Sequence, residues 1–285
     1  MSAPIMKAVK GDGVKINLAN WEGLRGPILC VHGITANCRC WDAMANILAP
    51  EYRVLAMDLR GRGRSEKPAK GYHLETHLRD MNSLMDDLGL DRAVVMGHSL
   101  GAYIGLAFAA KYPKRVDRLI LVDGGADLSQ EQIDQVFASI KPALERLQHV
   151  FPSIETYLET MRQAPFIQPW SPATEIYFRY EIETTDDGVR TNIQPSHIAE
   201  EAENIRQVKF AAFYPQVQCP VLILRAPLGL LSENDILLPE DAIERMIREI
   251  PDARRFDVDG MNHYGIVFQP HEARNQAIKG FLEGL

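Results

Sequence analysis

The stretch at residues 93–113 constrains the fold of this chain more than any other. It begins with an apolar run that contains Val94 and Val95, passes through Gly97-His98-Ser99-Leu100-Gly101, and continues at helical spacing to Tyr112-Pro113. This pattern predicts a strand, a sharp turn and a helix. A serine on so sharp a turn needs a strained backbone and neighbours without bulk, and a glycine stands two positions to each side of it. The turn lifts the Ser99 hydroxyl clear of the sheet edge and aims the Leu100 N–H at an oxyanion.

Two further segments stand in a matching order along the chain. Val31-His32-Gly33-Ile34 follows an apolar run upstream, and Asn262-His263-Tyr264 lies near the C-terminus. With the serine turn between them, these segments resemble the α/β-hydrolase superfamily from about Ile28 to the end of the chain, with one interruption. The resemblance implies an α/β fold: a mostly parallel eight-stranded sheet with helices on both faces and an inserted helical cap.

The remaining periodicity fits alternating strands and helices. Apolar runs predict buried strands at residues 27–31, 52–57, 118–122 and 220–224, and alternation predicts a strand at the sheet edge at residues 14–21. Helices are predicted at residues 73–88, 240–250 and 269–282, and a last strand at residues 254–258. Strands that alternate with helices pair in parallel through right-handed crossovers.

This alternation stops at residues 126–214. The pattern there is helical and irregular, with several prolines and aromatic residues. At this point the family carries a cap over its active site, so the resemblance divides the chain into an α/β-hydrolase core, residues 1–125 and 215–285, and a helical cap (lid), residues 126–214. Most cap aromatics are expected to pack among themselves. Phe166 and Trp170, which lie beside prolines in loops, are the candidates for lining a substrate pocket.

Two loops follow buried strands in the first part of the chain. In the family, the residue after His-Gly gives the second backbone N–H of an oxyanion hole, which implies that Ile34 N–H acts together with Leu100 N–H. His32 is interpreted as a structural histidine that bonds the loop backbone. The segment at residues 58–65 matches the family motif D-x-R-G-x-G-x-S, which fixes loop geometry, and its three arginines are expected to lie in solvent.

The chemistry requires a base and an acid for Ser99. A serine hydroxyl is a poor nucleophile until a base takes its proton, and His263 matches the family's general base. A carboxylate must then orient the imidazole, and two residues fit the order serine, acid, histidine. Asp235 matches the commoner position after the seventh strand, but a long loop precedes it. We favour Asp123, because the strand that ends there fixes its position.

The predicted activity is hydrolysis of an ester, lactone or amide of a small molecule through an acyl-serine intermediate, with no metal and no organic cofactor. Hydrolysis of a carbon-carbon bond in a β-diketone-like substrate is an alternative that uses the same triad. A ligand-binding receptor on a hydrolase scaffold is another. Haloalkane dehalogenases and epoxide hydrolases are disfavoured, because they carry an aspartate where this chain has Ser99.

Composition narrows the partners and the compartment. The chain has 285 residues and a formal net charge of -7, without a basic run, which argues against nucleic-acid binding. Residues 1–10 do not resemble a signal peptide, and no apolar stretch reaches membrane-spanning length, so a cytoplasmic protein with no membrane partner is expected. The cysteines at positions 30, 38, 40 and 219 form no C-x-x-C pair and are expected to be reduced, structural thiols. The sequence leaves the oligomeric state open.

Overall fold

A computed structural model describes residues 3–232 and 235–283, apart from the side chain of Phe166. Its ten strands are β1 (Ile5–Lys10), β2 (Lys15–Trp21), β3 (Arg25–Val31), β4 (Tyr52–Met57), β5 (Ala93–His98), β6 (Val116–Val122), β7 (Ile182–Thr185), β8 (Gly188–Thr191), β9 (Val221–Arg225) and β10 (Ala253–Asp257). Eight of them form one sheet in the order β1-β2-β4-β3-β5-β6-β9-β10. The predicted α/β fold with a mostly parallel eight-stranded sheet is therefore confirmed.

Parallel pairing holds the centre of this sheet together. The strands β4, β3, β5, β6, β9 and β10 run parallel, and Val31 of β3 stands beside Gly97 of β5 in the register. Side chains alternate between two apolar clusters, since Leu29 and Val95 join one cluster whereas Ile28 and Val94 join the other. Both faces of these strands are covered, which explains why they read as continuous apolar runs.

The edge of the sheet differs from the prediction. The strand expected at the edge is β2, but it pairs on one side with β4 and on the other with β1. β1 was not predicted, because its six residues include two lysines without a clear alternation and only Val9 is buried. An outer strand buries little, so its hydrophobic pattern is faint.

Eleven α-helices are assigned within the described residues. They are α1 (Asp42–Leu48), α2 (Leu74–Asp87), α3 (Leu100–Lys111), α4 (Gln130–Ser139), α5 (Lys141–Glu145), α6 (Ile154–Arg162), α7 (Pro172–Tyr180), α8 (Pro195–Arg206), α9 (Glu240–Glu249), α10 (Gly265–Phe268) and α11 (Glu272–Leu282). α2, α3 and α9 pack on one face of the sheet and α1, α10 and α11 on the other. In the described part of the chain, none of these helices combines the length and the apolar content needed to cross a membrane.

The segment between β6 and β9 holds α4 to α8 and one element that was not predicted. β7 and β8 pair as a small antiparallel hairpin around Asp186-Asp187-Gly188. Gly188 has φ 139° and lies so close to Phe151 that a Cβ would approach its carbonyl oxygen to 2.2 Å. Asp-Gly before an alternating run is a hairpin signal, and the expectation of a helical and irregular segment did not include it.

Candidate active site

Ser99 sits at the turn between β5 and α3. Its backbone has φ 54° and ψ -121°, in the left-handed half of conformational space that costs energy for any residue other than glycine. A Cβ on Gly97 would come within 2.0 Å of the carbonyl oxygen of Gly101, and a Cβ on Gly101 within 2.0 Å of the carbonyl oxygen of Val31. Both glycines are thus required by close backbone approach, and the strain they permit leaves the serine half-exposed.

The loop after β3 approaches Ser99 from the side. A Cβ on Gly33 would lie 3.2 Å from the Cβ of Ser99, so this loop backbone passes directly against the serine. Ile34 follows it and lines both cavities that Ser99 lines. Neither Ile34 N–H nor Leu100 N–H donates a hydrogen bond to another described residue. The N–H groups of Ile34 and Leu100 are therefore both available as donors beside the serine.

His32 anchors this loop, as expected. Its Nδ1–H donates to the carbonyl oxygen of Gly33 at 2.8 Å, and its Nε2 accepts from the Leu59 N–H at 3.0 Å. These two bonds require the neutral tautomer with the proton on Nδ1. Burial lowers the pKa of His32 to about 4 and so keeps it neutral.

His263 and Asp123 form a buried pair beside the serine. His263 Nδ1 lies 2.7 Å from Asp123 Oδ2, and both side chains are buried. The other carboxylate oxygen, Asp123 Oδ1, accepts from the Ala226 N–H at 3.0 Å. Ser99 and His263 line one cavity together. The structure thus brings Ser99, His263 and Asp123, which are far apart in sequence, to one edge of the sheet.

Asp235 does not take part in this arrangement. Its carboxylate accepts from the backbone N–H groups of Leu230, Leu231 and Ser232 at 2.8, 2.8 and 3.1 Å. These bonds lower the pKa of Asp235 against the opposing effect of burial. Asp235 thus organises its own loop and makes no bond to His263 in the described part of the structure, and its alternative assignment as the acid stays a prediction.

One residue of this site escaped the sequence analysis. His98 Nε2–H donates to the carbonyl oxygen of His263 at 2.9 Å, and the two rings lie 4.5 Å apart. Burial lowers the pKa of His98 well below its ordinary value, so the ring stays neutral. A histidine directly before the serine was visible in the sequence. What it bonds depends on a loop 165 residues away, which local patterns do not reveal.

The two aromatic residues expected in a substrate pocket are not both described. Phe166 has a side chain outside the described part of the structure. Trp170 stacks on Phe178 at 5.4 Å, and the Arg162 guanidinium lies 5.5 Å from its ring centre. It is absent from the lining of both cavities at Ser99. Trp170 therefore packs within the inserted segment, and its expected role in a substrate pocket stays a prediction.

The arginines of the loop at residues 58–65 also differ from expectation. Arg64 is exposed, but Arg60 and Arg62 are buried. Arg60 pairs with Asp80 at 2.7 Å, whereas Arg62 pairs with Glu201 of α8 and donates from Nε to the carbonyl oxygen of Ile34 at 3.0 Å. Arg60 and Arg62 thus form buried ion pairs that stabilise the structure, and Arg62 also hydrogen-bonds the Ile34 carbonyl oxygen.

All four cysteines are free and buried. Cys40 lines the cavity that Ser99 and His263 share. Burial raises the pKa of Cys40 well above its ordinary value, so the sulfur stays a neutral thiol and is a poor nucleophile.

Comparison with known proteins places this geometry in context. The family model described as the alpha/beta hydrolase fold matches residues 26–167. The chain is 30% identical over 272 residues to the 2-(acetamidomethylene)succinate hydrolase of Mesorhizobium japonicum, which covers 94% of this chain and 92% of that protein. It is 29% identical over 274 residues to a protein of a Caulobacter species named "Putative carbamate hydrolase RutD", with 91% of each covered.

A solved structure agrees with these relatives. The crystal structure of E-2-(acetamidomethylene)succinate hydrolase superposes with a TM-score of 0.86 at 26% identity, over 99% of this chain and all of that one. The relatives named here carry hydrolase names, and this similarity supports hydrolase activity for the present chain.

Proposed function

The chain belongs to the α/β hydrolase fold family, and from that premise we propose that it hydrolyses an acyl bond of a small molecule through an acyl-serine intermediate. Ser99 is the nucleophile, His263 the general base and Asp123 the carboxylate that orients it. The 2.7 Å bond between His263 Nδ1 and Asp123 Oδ2, beside a serine that lines the same cavity, carries this proposal. This bond leaves His263 Nε2 free to accept a proton.

The first half of the reaction forms the acyl-enzyme. Ser99 Oγ attacks the substrate carbonyl carbon while its proton passes to His263 Nε2, and the carbonyl oxygen becomes an oxyanion. The N–H groups of Ile34 and Leu100 stabilise that charge, and Leu100 N–H adds the positive end of the α3 dipole. The intermediate then collapses as the bond to the leaving group breaks, and His263 gives its proton to the departing atom.

Water completes the cycle by hydrolysing the acyl-enzyme: water is now the nucleophile and Ser99 is the leaving group. His263 Nε2 takes a proton from water, the hydroxide attacks the acyl carbon, and Ser99 leaves with the proton that His263 returns. The products are a carboxylic acid and the protonated leaving group. Ala226 N–H and His263 Nδ1–H donate to the two oxygens of Asp123 and hold this carboxylate in place through both halves of the reaction.

Among acyl bonds, we place amides and carbamates ahead of esters and lactones. Both relatives are covered over more than nine tenths of their length, by 92% and 91%, and their names contain an acyl group attached to nitrogen, an acetamido group in one and a carbamate in the other. Cleavage of a carbon-carbon bond in a β-diketone has no such support. A receptor without turnover is disfavoured by the buried His263–Asp123 pair, which a binding protein does not need.

Residues 126–214 act in this proposal as a cap over the core formed by residues 1–125 and 215–285. Residues of α4 and α8 line one of the cavities beside Ser99. Buried contacts join the two parts: Glu201 pairs with Arg62, and Tyr180 Oη donates to Asp58 Oδ2 at 2.6 Å. The cap thus supplies pocket walls rather than chemistry.

Substitution of the nucleophile tests the proposal. The wild-type protein and Ser99→Ala are assayed against p-nitrophenyl esters, N-acyl and carbamoyl anilides, lactones and β-diketones. Ser99→Ala is expected to lower kcat by about 10⁴ on any true substrate, since triad members act as a unit. Ser83→Ala on α2 is the matched control and should have the turnover of the wild type.

A Ser99→Ala enzyme with wild-type turnover would exclude the acyl-serine route. Wild-type protein that binds substrates without a burst of product would favour the receptor.

A further inference from the structure

Two cavities meet at Ser99, and different residues line them. The first, called the α4–α8 cavity, is lined by Ser99, Leu100 and residues of α4 and α8. The second, called the His263 cavity, is lined by Ser99, His263 and Tyr264. Building on the proposed function, we propose that the α4–α8 cavity receives the acyl part of the substrate and that Arg206 binds a second carboxylate carried on that part.

The direction of the substrate follows from proton transfer. His263 must reach the leaving group to protonate it, so the leaving group lies on the side of the serine where His263 and Tyr264 stand. The acyl part remains attached to Ser99 after the leaving group departs and needs a space of its own. The α4–α8 cavity opens from Ser99 and Leu100 and does not include His263 in its lining. It therefore holds the acyl group.

Arg206 stands in the wall of this cavity with a hydrogen-bond donor unused. Its Nε is buried and has no partner among the described residues. Its guanidinium lies 4.5 Å from the ring centre of Phe137, and the nearest carboxylate, that of Asp134, is 3.5 Å from Nη2 and 59% exposed. A solvent-exposed pair of this kind satisfies little of the guanidinium. The Arg206 side chain is 35% exposed and lines the cavity, so its guanidinium can meet an anion there, and the surrounding apolar wall strengthens such a bond.

The cavity holds a second donor, and the one carboxylate in its described lining is already paired with an arginine. Tyr103 lines it and packs its ring 4.6 Å from that of Phe210, and its hydroxyl makes no hydrogen bond to the described residues. Burial raises the pKa of Tyr103, so the hydroxyl keeps its proton and can donate. Asp127, the acidic residue of the lining, forms an ion pair with Arg245 at 3.1 Å. The free polar groups of the α4–α8 cavity are donors, as a carboxylate requires.

Carboxylate recognition distinguishes this site from a simple alkyl pocket. The wall is otherwise built from aliphatic and aromatic side chains, such as Ile133, Val136 and Ile205. An unbranched alkyl chain would fill it but leave Arg206 Nε without a partner. A dicarboxylic acid joined through one of its two carboxyl groups fills the same space, and its free carboxylate forms a charge-assisted bond to the guanidinium. The substrate class is therefore a monoamide or monoester of a short dicarboxylic acid.

Two esters of equal length test this inference. Mono-p-nitrophenyl glutarate and p-nitrophenyl pentanoate differ by a carboxylate in place of a terminal methyl group. The ratio of kcat/KM for glutarate over pentanoate is measured for the wild type, for Arg206→Gln, and for Arg248→Gln, an exposed arginine on α9 that controls for the lost charge. Arg206→Gln is expected to lower this ratio by about 10- to 100-fold, the range of a hydrogen bond to a charged group. Arg248→Gln should keep the wild-type ratio.

Binding without turnover separates this inference from the proposed function. Calorimetry of free glutarate with Ser99→Ala and with Ser99→Ala/Arg206→Gln is expected to show a similar 10- to 100-fold loss of affinity in the double variant. An unchanged ester ratio, or equal glutarate affinity in both variants, would overturn the role of Arg206 even in an active hydrolase. Arg206-dependent glutarate binding by a protein that hydrolyses no ester or amide would instead overturn the proposed function and leave the carboxylate site standing.

Discussion

Asp123 and Asp235 each follow a strand of the sheet, yet their carboxylates have different partners. Asp123 bonds His263, whereas Asp235 bonds three backbone N–H groups of its own loop. Asp123→Asn is expected to lower kcat by about 10⁴, because an amide opposite His263 favours the wrong imidazole tautomer. Asp235→Asn should change kcat little and reduce stability through its loop. Steady-state kinetics and urea unfolding of both variants check this pair, and the reverse order of kcat losses would move the acid to Asp235.

The choice between Asp123 and Asp235 shows how far the position of a catalytic carboxylate can be predicted from the sequence. Asp123 was favoured because a buried strand ends at it, and the chain direction of that strand fixes the carboxylate at the sheet edge. The sequence held no information on whether the long loop before Asp235 reaches His263. The direction of the Asp235 side chain depends on the three backbone N–H groups that donate to it. Only the three-dimensional structure shows these bonds.

His32 makes the stability of the protein depend on pH. Its pKa falls from the ordinary 6.5 to about 4 on folding because the ring is buried. Since the folded-state pKa is the lower one, this contribution is complete above pH 6.5 and is lost as the pH falls towards 4. Between pH 7 and pH 5 the protein should lose about 2 kcal/mol of unfolding free energy through this residue. His77 and His98 shift in the same direction and add to the loss.

Urea unfolding at pH 7 and pH 5 measures this effect. The difference between the two free energies of unfolding should be smaller in His32→Gln than in the wild type by about 2 kcal/mol. An imidazole of His32 that titrates near pH 6.5 in the folded protein, followed by NMR, would contradict the argument.

At the scale of elements, α8 is tied to the core by a buried ionic cluster. Glu201 pairs with Arg62 and with His77, and all three side chains are buried. Burial lowers the pKa of Arg62 to about 9, so the guanidinium is still charged at pH 7. Glu201→Gln leaves that charge without a partner and is expected to cost about 3 kcal/mol of unfolding free energy. Because Arg62 also bonds the Ile34 carbonyl, kcat should fall as well.

The matched control lies on the same helix. Glu203 is exposed and accepts a hydrogen bond from Gln207 Nε2 at 3.0 Å. Glu203→Gln should change the free energy of unfolding by no more than about 0.5 kcal/mol. Equal stability of the two variants in urea would mean that Arg62 finds another partner.

Elements with strong burial were predictable, and elements with weak burial were not. α2 was expected at residues 73–88 and spans Leu74–Asp87, since its apolar stripe faces the sheet. β1 and the β7–β8 hairpin were missed, because few of their side chains are buried and their register depends on partners elsewhere. Arg60 and Arg62 were misjudged for a related reason: their acidic partners lie on α2 and α8, far along the chain.

At the scale of the whole molecule, the inserted segment and the sheet share one apolar cluster. Tyr157 and Phe178 of the inserted segment belong to the same cluster as Met96 and Ile120 of the central strands. Together with the buried Arg62–Glu201 pair, this shared cluster couples the packing of the two parts. We expect one cooperative transition in which tryptophan fluorescence, far-UV circular dichroism and hydrolase activity are lost together. An early loss of Trp170 fluorescence, detected by comparison with Trp170→Phe, would show that the segment melts first.

The bond between Asp123 and His263 also has a consequence for how this protein can change over time. The carboxylate that meets the histidine comes from the end of β6, so the connection after β9 carries no side chain that must meet His263. Asp235 closes its own turn through three amides, while Ala226 and Leu228, nearer to β9, bond Asp123 and the loop before His263. Natural variation, or a designer who grafts sequences, can therefore lengthen or exchange the turn that holds Asp235, as long as Ala226 and Leu228 keep their bonds beside Asp123 and His263.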